Sequence, residues 1–327
     1  MGKVDEYIGA KQSPKQKLID TVSGAIGKFY EPIHVKRMAK AKAKEIEVIG
    51  RALRENADIP IVYSKGEIVA DTSDFDAFVK RAQNRMAFQE LQKQQNIESV
   101  ADKAYNLLLD ETECSEEPVD NDWLSRFFNS VENISDNDMQ VIWAKILAGE
   151  VKRPKTYSLR TLDTLRNLSK DEALLFQKIA PFVFYGDEFK YISSNSKLLE
   201  KYGINYGDII LLNECGLLNI TSFMGLKISL IKEQMSEIIY SAERAVIFEN
   251  KQAKDTVFDI DVYKLTTAGM ELFDIVKKEC NNDYILDLAE IIYIENKMNV
   301  YVKVFEIKST ENESIVYEDV PIKKFME

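Results

Sequence analysis

PVDNDWLSRFFNSVENISDNDMQVIWAKILAGEVKRPKTYSLRTLDTLRNL, residues Pro118–Leu168, is the stretch whose reading decides how this chain folds. Both tryptophans of the protein lie in it. It predicts three consecutive short helices, each with its own start signal. Asp120 is expected to cap the first, Ser135 the second and Ser158 the third, because a short side-chain oxygen there accepts from an otherwise unpaired N–H. The apolar residues recur at helical spacing: Trp123, Phe127, Val131, then Met139, Ile142, Trp143, Ile146, then Leu159, Leu162, Leu165. Gly149 is expected to close the second helix in a left-handed cap. These stripes place Trp123, Phe127, Ile142, Trp143 and Ile146 in one core.

The 327 residues around it are enough for two or three domains with sizeable cores. A hydrophobic share of 45% and a charged share of 30% are those of a globular chain, so disorder is not the default. No apolar run nears the ~18 residues that would span a bilayer. The opening MGKVDEYIGAKQSPKQK is too polar for a secretory signal, and Glu6 stands where myristoylation favours Ser or Thr. The three cysteines, Cys114, Cys215 and Cys280, are far apart and form no C-x-x-C pair. That fits a reducing cytoplasm and argues against a disulfide framework or a structural zinc. A cytoplasmic protein with no membrane partner is the expectation.

Charge is divided unevenly. The chain as a whole is −11, which disfavours non-specific binding to nucleic acid or anionic lipid. Residues 1–54 nevertheless hold 12 Lys/Arg against 6 Asp/Glu, a net of +6, leaving −17 on the remainder. Much of this lies on a helix expected over about His34–Arg54, which turns Val35, Met38, Ile46, Ile49 and Leu53 inward. Its other face carries Lys36, Arg37, Lys40, Lys42 and Lys44. Two readings stand: a solvated face on an ordinary helix, or a basic strip for nucleic acid or an acidic partner surface. The strip has no interleaved aromatics, which disfavours single-strand stacking.

Further along, Ile59–Tyr63 and Ile68–Ala70 around Gly66 predict a small hairpin. A long helix follows over about Phe75–Leu109, where Ile97, Ala101, Ala104 and Leu108 form one apolar seam, suited either to packing against a second copy or to closing on the Trp123 and Trp143 helices of the same chain. Asp110–Pro118 reads as a linker. Ser169-Lys-Asp-Glu172 is a capping box. Tyr206–Asn219, a helix ending in Gly216 before an apolar strand, is typical of the third helix and second strand of a winged helix. Ala245–Phe248 and Val257–Tyr263 would form the wing. Leu265–Phe273 turns into a closing helix capped by Thr266 or Thr267, and the tail adds a helix near Ile285–Ala289 and strands Val300–Ile307 and Ser314–Tyr317. The expected fold is mainly α with small α+β parts: a helical core, a winged-helix-like domain and a short α/β tail. The expected segments are 1–85 (basic helical region with hairpin), 86–190 (helical core), 191–280 (winged-helix-like) and 281–327 (helix plus two strands).

Residues 86–170 resemble the bacterial family DUF2806, a domain of unknown function. The resemblance is carried by Gln89-Glu90, Gln95-Asn-Ile-Glu98, Pro118-Val-Asp120, Asp122-Trp-x-x-Arg-Phe-Phe128, Ser135-Asp136 and Met139-Gln140. It continues through Trp143-Ala-x-Ile-Leu-Ala-Gly-Glu-Val151, Pro154, Ser158-Leu-Arg-Thr-Leu162 and Asn167-Leu-Ser169. Family members usually follow that proline with Gly-Ser or Gly-Thr, where this chain has Lys155-Thr156. The basic N-terminal helix and the closing segment Leu-Thr-x-Ala-Gly-x-Glu-Leu are also similar to such proteins. The resemblance implies no reaction. It implies a layout like that of proteins found among bacterial phage-defence and abortive-infection genes.

Chemistry-bearing motifs are scarce. His34 is the only histidine, with no partnered nucleophile motif nearby, so a structural or surface role is expected for it. There is no P-loop, no G-x-G-x-x-G after a strand, no G-x-S-x-G and no H-E-x-x-H. Asp120, Asp122, Asp136, Asp138 and Glu150 could be weighed as a magnesium site. The four aspartates fall at helix starts, however, where carboxylates offset the dipole. Glu150 with Arg126, Arg153 and Arg160 could form a buried ionic network. Residues 196–280 hold 10 basic and 13 acidic side chains, and Tyr206–Cys215 contains Asp208 and Glu214 without Lys or Arg. A base-reading helix needs the opposite. The expectation is a non-enzymatic interaction or sensor protein that forms a homo-oligomer, with no cofactor and no metal. Its structural motif is Trp123, Arg126, Phe127, Trp143, Glu150 and Arg160. A nucleic-acid-binding regulator using Lys36, Arg37, Lys40, Lys42 and Lys44 is the alternative, and a metal-dependent nuclease the second alternative.

Overall fold

The computed structural model describes residues 12–26, 61–64, 67–70, 73–186, 188–221, 225–231, 236–252, 254–276, 279–311 and 314–326. The basic strip Lys36–Lys44 and His34 lie outside the described residues. The chain divides into two compact units, Met1–Tyr157 and Ser158–Glu327.

The first unit is helical: α1 (Pro14–Ile26), α2 (Ser73–Leu107), α3 (Asn121–Val131) and α4 (Asn137–Lys152), with an antiparallel hairpin of β1 (Ile61–Ser64) and β2 (Glu67–Ala70). The long helix is unbroken over 35 residues. Its seam Ile97, Ala101, Ala104 and Leu108 is buried, and α2 packs along α4 within the same chain. The seam thus closes inside the unit, as its narrow stripe allows. Asp120 caps α3 by accepting from Trp123 N at 2.9 Å. The second helix departs from the sequence expectation: Asp136, not Ser135, is its cap, accepting from Asp138 N and Met139 N. Both residues can cap. The burial of Met139 and Gln140 sets where the first turn begins and makes the carboxylate the one in reach. The segment between α2 and α3 is pinned from α1, because the buried Lys17 ammonium donates to the carbonyls of Ser115 (2.8 Å) and Glu117 (2.7 Å).

The aromatic core forms where the stripes predict it. Trp123 stacks on Phe127 at 5.1 Å, and Phe127 meets Trp143 edge-on at 5.5 Å. Trp143 and Ile146 are fully buried, and Ile142 is half-buried at the margin.

The second unit opens with α5 (Leu159–Asn167), capped by Ser158, and α6 (Lys170–Ile179), which carries the expected capping box of Ser169 and Glu172. Then follow β3 (Phe184–Gly186), β4 (Phe189–Ser193), α7 (Ser196–Lys201), α8 (Tyr206–Glu214) and β5 (Leu218–Asn219). Next come β6 (Gly225–Leu230), β7 (Ser236–Tyr240), β8 (Arg244–Asn250), β9 (Thr256–Leu265), α9 (Thr267–Phe273) and α10 (Asn282–Asn296). The chain ends with β10 (Val300–Glu311), β11 (Ser314–Tyr317) and β12 (Lys323–Phe325). Among the described residues these strands make one antiparallel sheet in the order β11-β10-β8-β7-β3-β4-β9-β5, with β12 beside β10 and β6 beside β9.

Two features of this sheet differ from the sequence expectation. The strands expected to form a wing, β8 and β9, do not pair with each other. β8 lies between β7 and β10, with Arg244–Asn250 matched to Val300–Glu306. Its centre Ala245-Val-Ile-Phe248 is buried on both faces, which suits an inner strand and not a projecting wing. The C-terminal strand β10 is accordingly a central part of this sheet. Beneath it, α10 buries Tyr284, whose hydroxyl accepts from Ser193 N and whose ring meets Phe182 edge-on at 5.1 Å.

Candidate functional site

The residues that make up the shared motif converge on two main-chain clasps, one in each unit. In the first, Tyr157 is the hub. Its N–H donates to Glu150 Oε2 at 3.0 Å, and its carbonyl accepts from Trp123 Nε1 at 2.8 Å. Its ring lies on Gly149: a Cβ there would stand 2.8 Å from the ring carbon Cε2 and from the hydroxyl. Gly149 is therefore inside α4 and does not form the left-handed cap expected of it; it is small so that a tyrosine eight residues on can lie against the helix. Glu150, only 2% exposed, also accepts from Lys155 N at 2.6 Å. The buried carboxylate is thus held by backbone donors. Arg126, Arg153 and Arg160, expected to surround it in a buried ionic network, are exposed.

Lys155 has φ +69°, the one non-glycine residue with positive φ among the described residues. The glycine that the resemblance leads one to expect here would suit that backbone, since only glycine enters the left-handed region without steric cost. Lys155→Gly should therefore raise stability by about 0.5–1 kcal/mol, read as a shift in the urea midpoint. The exposed ion pair lost to Glu117 is worth little. A lowered midpoint would show that the loop does not need this conformation. Glu150→Ala should cost about 2–4 kcal/mol, because it leaves two inward-facing N–H donors unpaired. Glu150→Gln, which keeps one acceptor, should cost less. Equal losses for the two would contradict the clasp.

Other motif residues behave alike. Gln140 is buried, donates to Ile134 O at 2.8 Å and accepts from Ser99 Oγ at 2.7 Å, while Asn96 donates to Glu132 O at 2.9 Å. Together they tie α2 to the α3–α4 turn. Asp120 and Asp136 are spent on caps, and Asp122 and Asp138 sit exposed in first turns. Among the described residues no group of three or more His, Cys, Asp or Glu is placed to hold a metal ion.

The second clasp was not legible in the sequence. Glu271 of α9 accepts from Ser158 N at 2.7 Å and from Thr161 Oγ1 at 2.6 Å, so that its carboxylate seats on the N-terminus of α5. Around it, Thr266 caps α9 and donates to Gly216 O at 2.6 Å. Gly269 lies against Leu217, where a Cβ would come within 2.1 Å of the carbonyl oxygen. The closing segment Leu265–Leu272 is in this way a latch between α5, β5 and α9. The pairing of Ser158 with Glu271 spans 113 residues, beyond any local pattern.

Helix α8 presents a different surface. Its start is a capping box of Asn205 and Asp208, and Asp208 also faces Lys178 at 3.3 Å. Tyr206 is exposed, as are Leu211 and Glu214. The helix turns neither Lys nor Arg outward, because it contains none.

The fold and its clasps define a two-unit protein, helical in its first part and built on an antiparallel sheet in its second. The family model described as protein of unknown function (DUF2806) matches residues 80–289, and the chain belongs to that family. The match takes in α3, α4 and both clasps. No curated protein and no solved structure matched the chain.

Proposed function

We propose that this protein is a non-enzymatic interaction or sensor module that associates with copies of itself, of the kind a bacterial phage-defence system employs. The observation that carries the reading is how the motif's polar residues are used. Asp120, Asp136, Glu150, Ser158 and Glu271 are all spent on main-chain donors. What remains is the distribution of charge along the chain, +6 over residues 1–54 and −17 over the remainder. Complementary charge of this kind steers association and fixes orientation between copies.

A winged-helix-like module within the second unit is part of the proposal. It is supported by the succession α6, β4, α7, α8, β5 and β9, in which β4 and β5 pair with the two edges of the same end of β9, Val262–Leu265. With Asp208, Glu214 and no cation, α8 fits protein docking better than phosphate contact.

The test is crosslinking of a mixture of isotope-labelled and unlabelled chains, followed by mass spectrometry. The reading expects peptides that join a labelled to an unlabelled copy, diminishing as salt rises. Crosslinks confined to single copies at every protein concentration would overturn it. The alternative, a nucleic-acid-binding regulator, predicts a duplex affinity that falls steeply with salt and disappears on charge reversal at Lys36, Arg37, Lys40 and Lys44.

A further inference from the structure

Strand β9 alternates strictly: Thr256, Phe258, Ile260 and Val262 point inward, while Val257, Asp259 and Asp261 point out. Its partner β6 places Gly225 opposite Asp261 and Lys227 opposite Asp259 on the same outer face. This face runs into a depression of about 650 Å³, bounded at its far end by Tyr206 and Tyr263. Glu295 of α10 adds a third carboxylate, and partial burial together with the Asp261 charge beside it raises its carboxyl above the usual range.

Several acids elsewhere in the second unit have cationic partners. Asp274 faces Lys190, Asp287 faces Lys201, Glu306 faces Arg244 and Glu318 faces Lys308, all at 3.0 Å or less. Among the described residues no ion pair forms to Asp259, Asp261 or Glu295, and Lys227, though opposite Asp259 in register, makes none. The outer face therefore combines three carboxylates against the one cation of Lys227, two aromatic rings and an exposed valine in one open sheet surface. Such a surface gains from a cationic partner, whose charges meet the carboxylates and whose side-chain stems lie on the rings.

We infer that this face of β6 and β9 is the docking surface for the basic N-terminal segment of a second copy of the chain. The occupant is argued from charge: residues 1–54 carry 12 Lys/Arg against 6 Asp/Glu, and five of those cations fall between Lys36 and Lys44. The inference rests on the self-association proposed above and names its two surfaces.

The experiment uses the full chain in light scattering at low salt. The double reversal Asp259→Lys/Asp261→Lys should weaken association about tenfold or more while leaving the urea midpoint unchanged, since both side chains face solvent. The reversal Lys36→Glu/Lys40→Glu should do the same. An equimolar mixture of the two variants should reassociate, because each now supplies the charge that the other lacks. Wild-type association that survives the β9 reversal overturns this surface and leaves the broader reading intact. Failure of the mixture to reassociate also overturns it. A wild-type chain that is monomeric throughout overturns both.

Discussion

Replacing Trp143 by alanine should cost about 3–5 kcal/mol, measured by urea denaturation followed by circular dichroism. The ring is fully buried and meets Phe127 edge-on at 5.5 Å, so truncation removes an aromatic pair and leaves a cavity between α3 and α4. Among the described residues its Nε1 has no hydrogen-bond partner. Trp143→Phe should consequently cost much less, since it removes no bond and restores most of the packing. Trp123 offers the contrast: its Nε1 donates to Tyr157 O at 2.8 Å, so Trp123→Phe removes a buried hydrogen bond as well. If Trp143→Ala lowers stability by less than about 1 kcal/mol, the ring is not part of the core described here.

The other large effect lies in the second unit. Gly269→Ala should destabilise by more than about 4 kcal/mol, the exceptional range that severe overpacking can reach. The new Cβ would fall 2.1 Å from the Leu217 carbonyl oxygen, and main chain cannot give way as a flexible side chain can. Thr266 holds α9 at that place by donating to Gly216 O, so the helix cannot simply withdraw. The clash should open the latch and with it the seat of Glu271 on α5. A Gly269→Ala protein with a wild-type midpoint would show that the α9–β5 approach is looser than the structure has it.

What the sequence revealed and what it hid follow from the range of the interactions. Caps at Asp120, Ser158 and Ser169 act within three residues, and all three are where their patterns put them. The choice between Ser135 and Asp136 turned on where α4 meets the core, and adjacent cap-formers carry no information about that. Gly149 looked like a helix end because a glycine usually is one; its reason is the Tyr157 ring. The strict alternation of Leu226, Ile228 and Leu230 marked β6 and could have been found. The pairing of β8 with β10 joins segments some fifty residues apart, and a strand buried on both faces shows no period to betray its neighbours. Of the motif residues, Trp123, Phe127 and Trp143 were legible as core, whereas Glu150 and Glu271 were not legible as clasps, because Glu150 meets main-chain groups and the partners of Glu271 lie 110 and 113 residues away.

We propose that this chain works through association between its oppositely charged parts. Light scattering behind size exclusion, at low and at high salt over a range of concentrations, tests it most directly. The account predicts a mass above the 37.5 kDa of one chain at low salt. That mass should fall toward the single-chain value as salt rises, because exposed charges are screened over about 8 Å at physiological ionic strength. A mass of 37.5 kDa at every concentration and salt would contradict it.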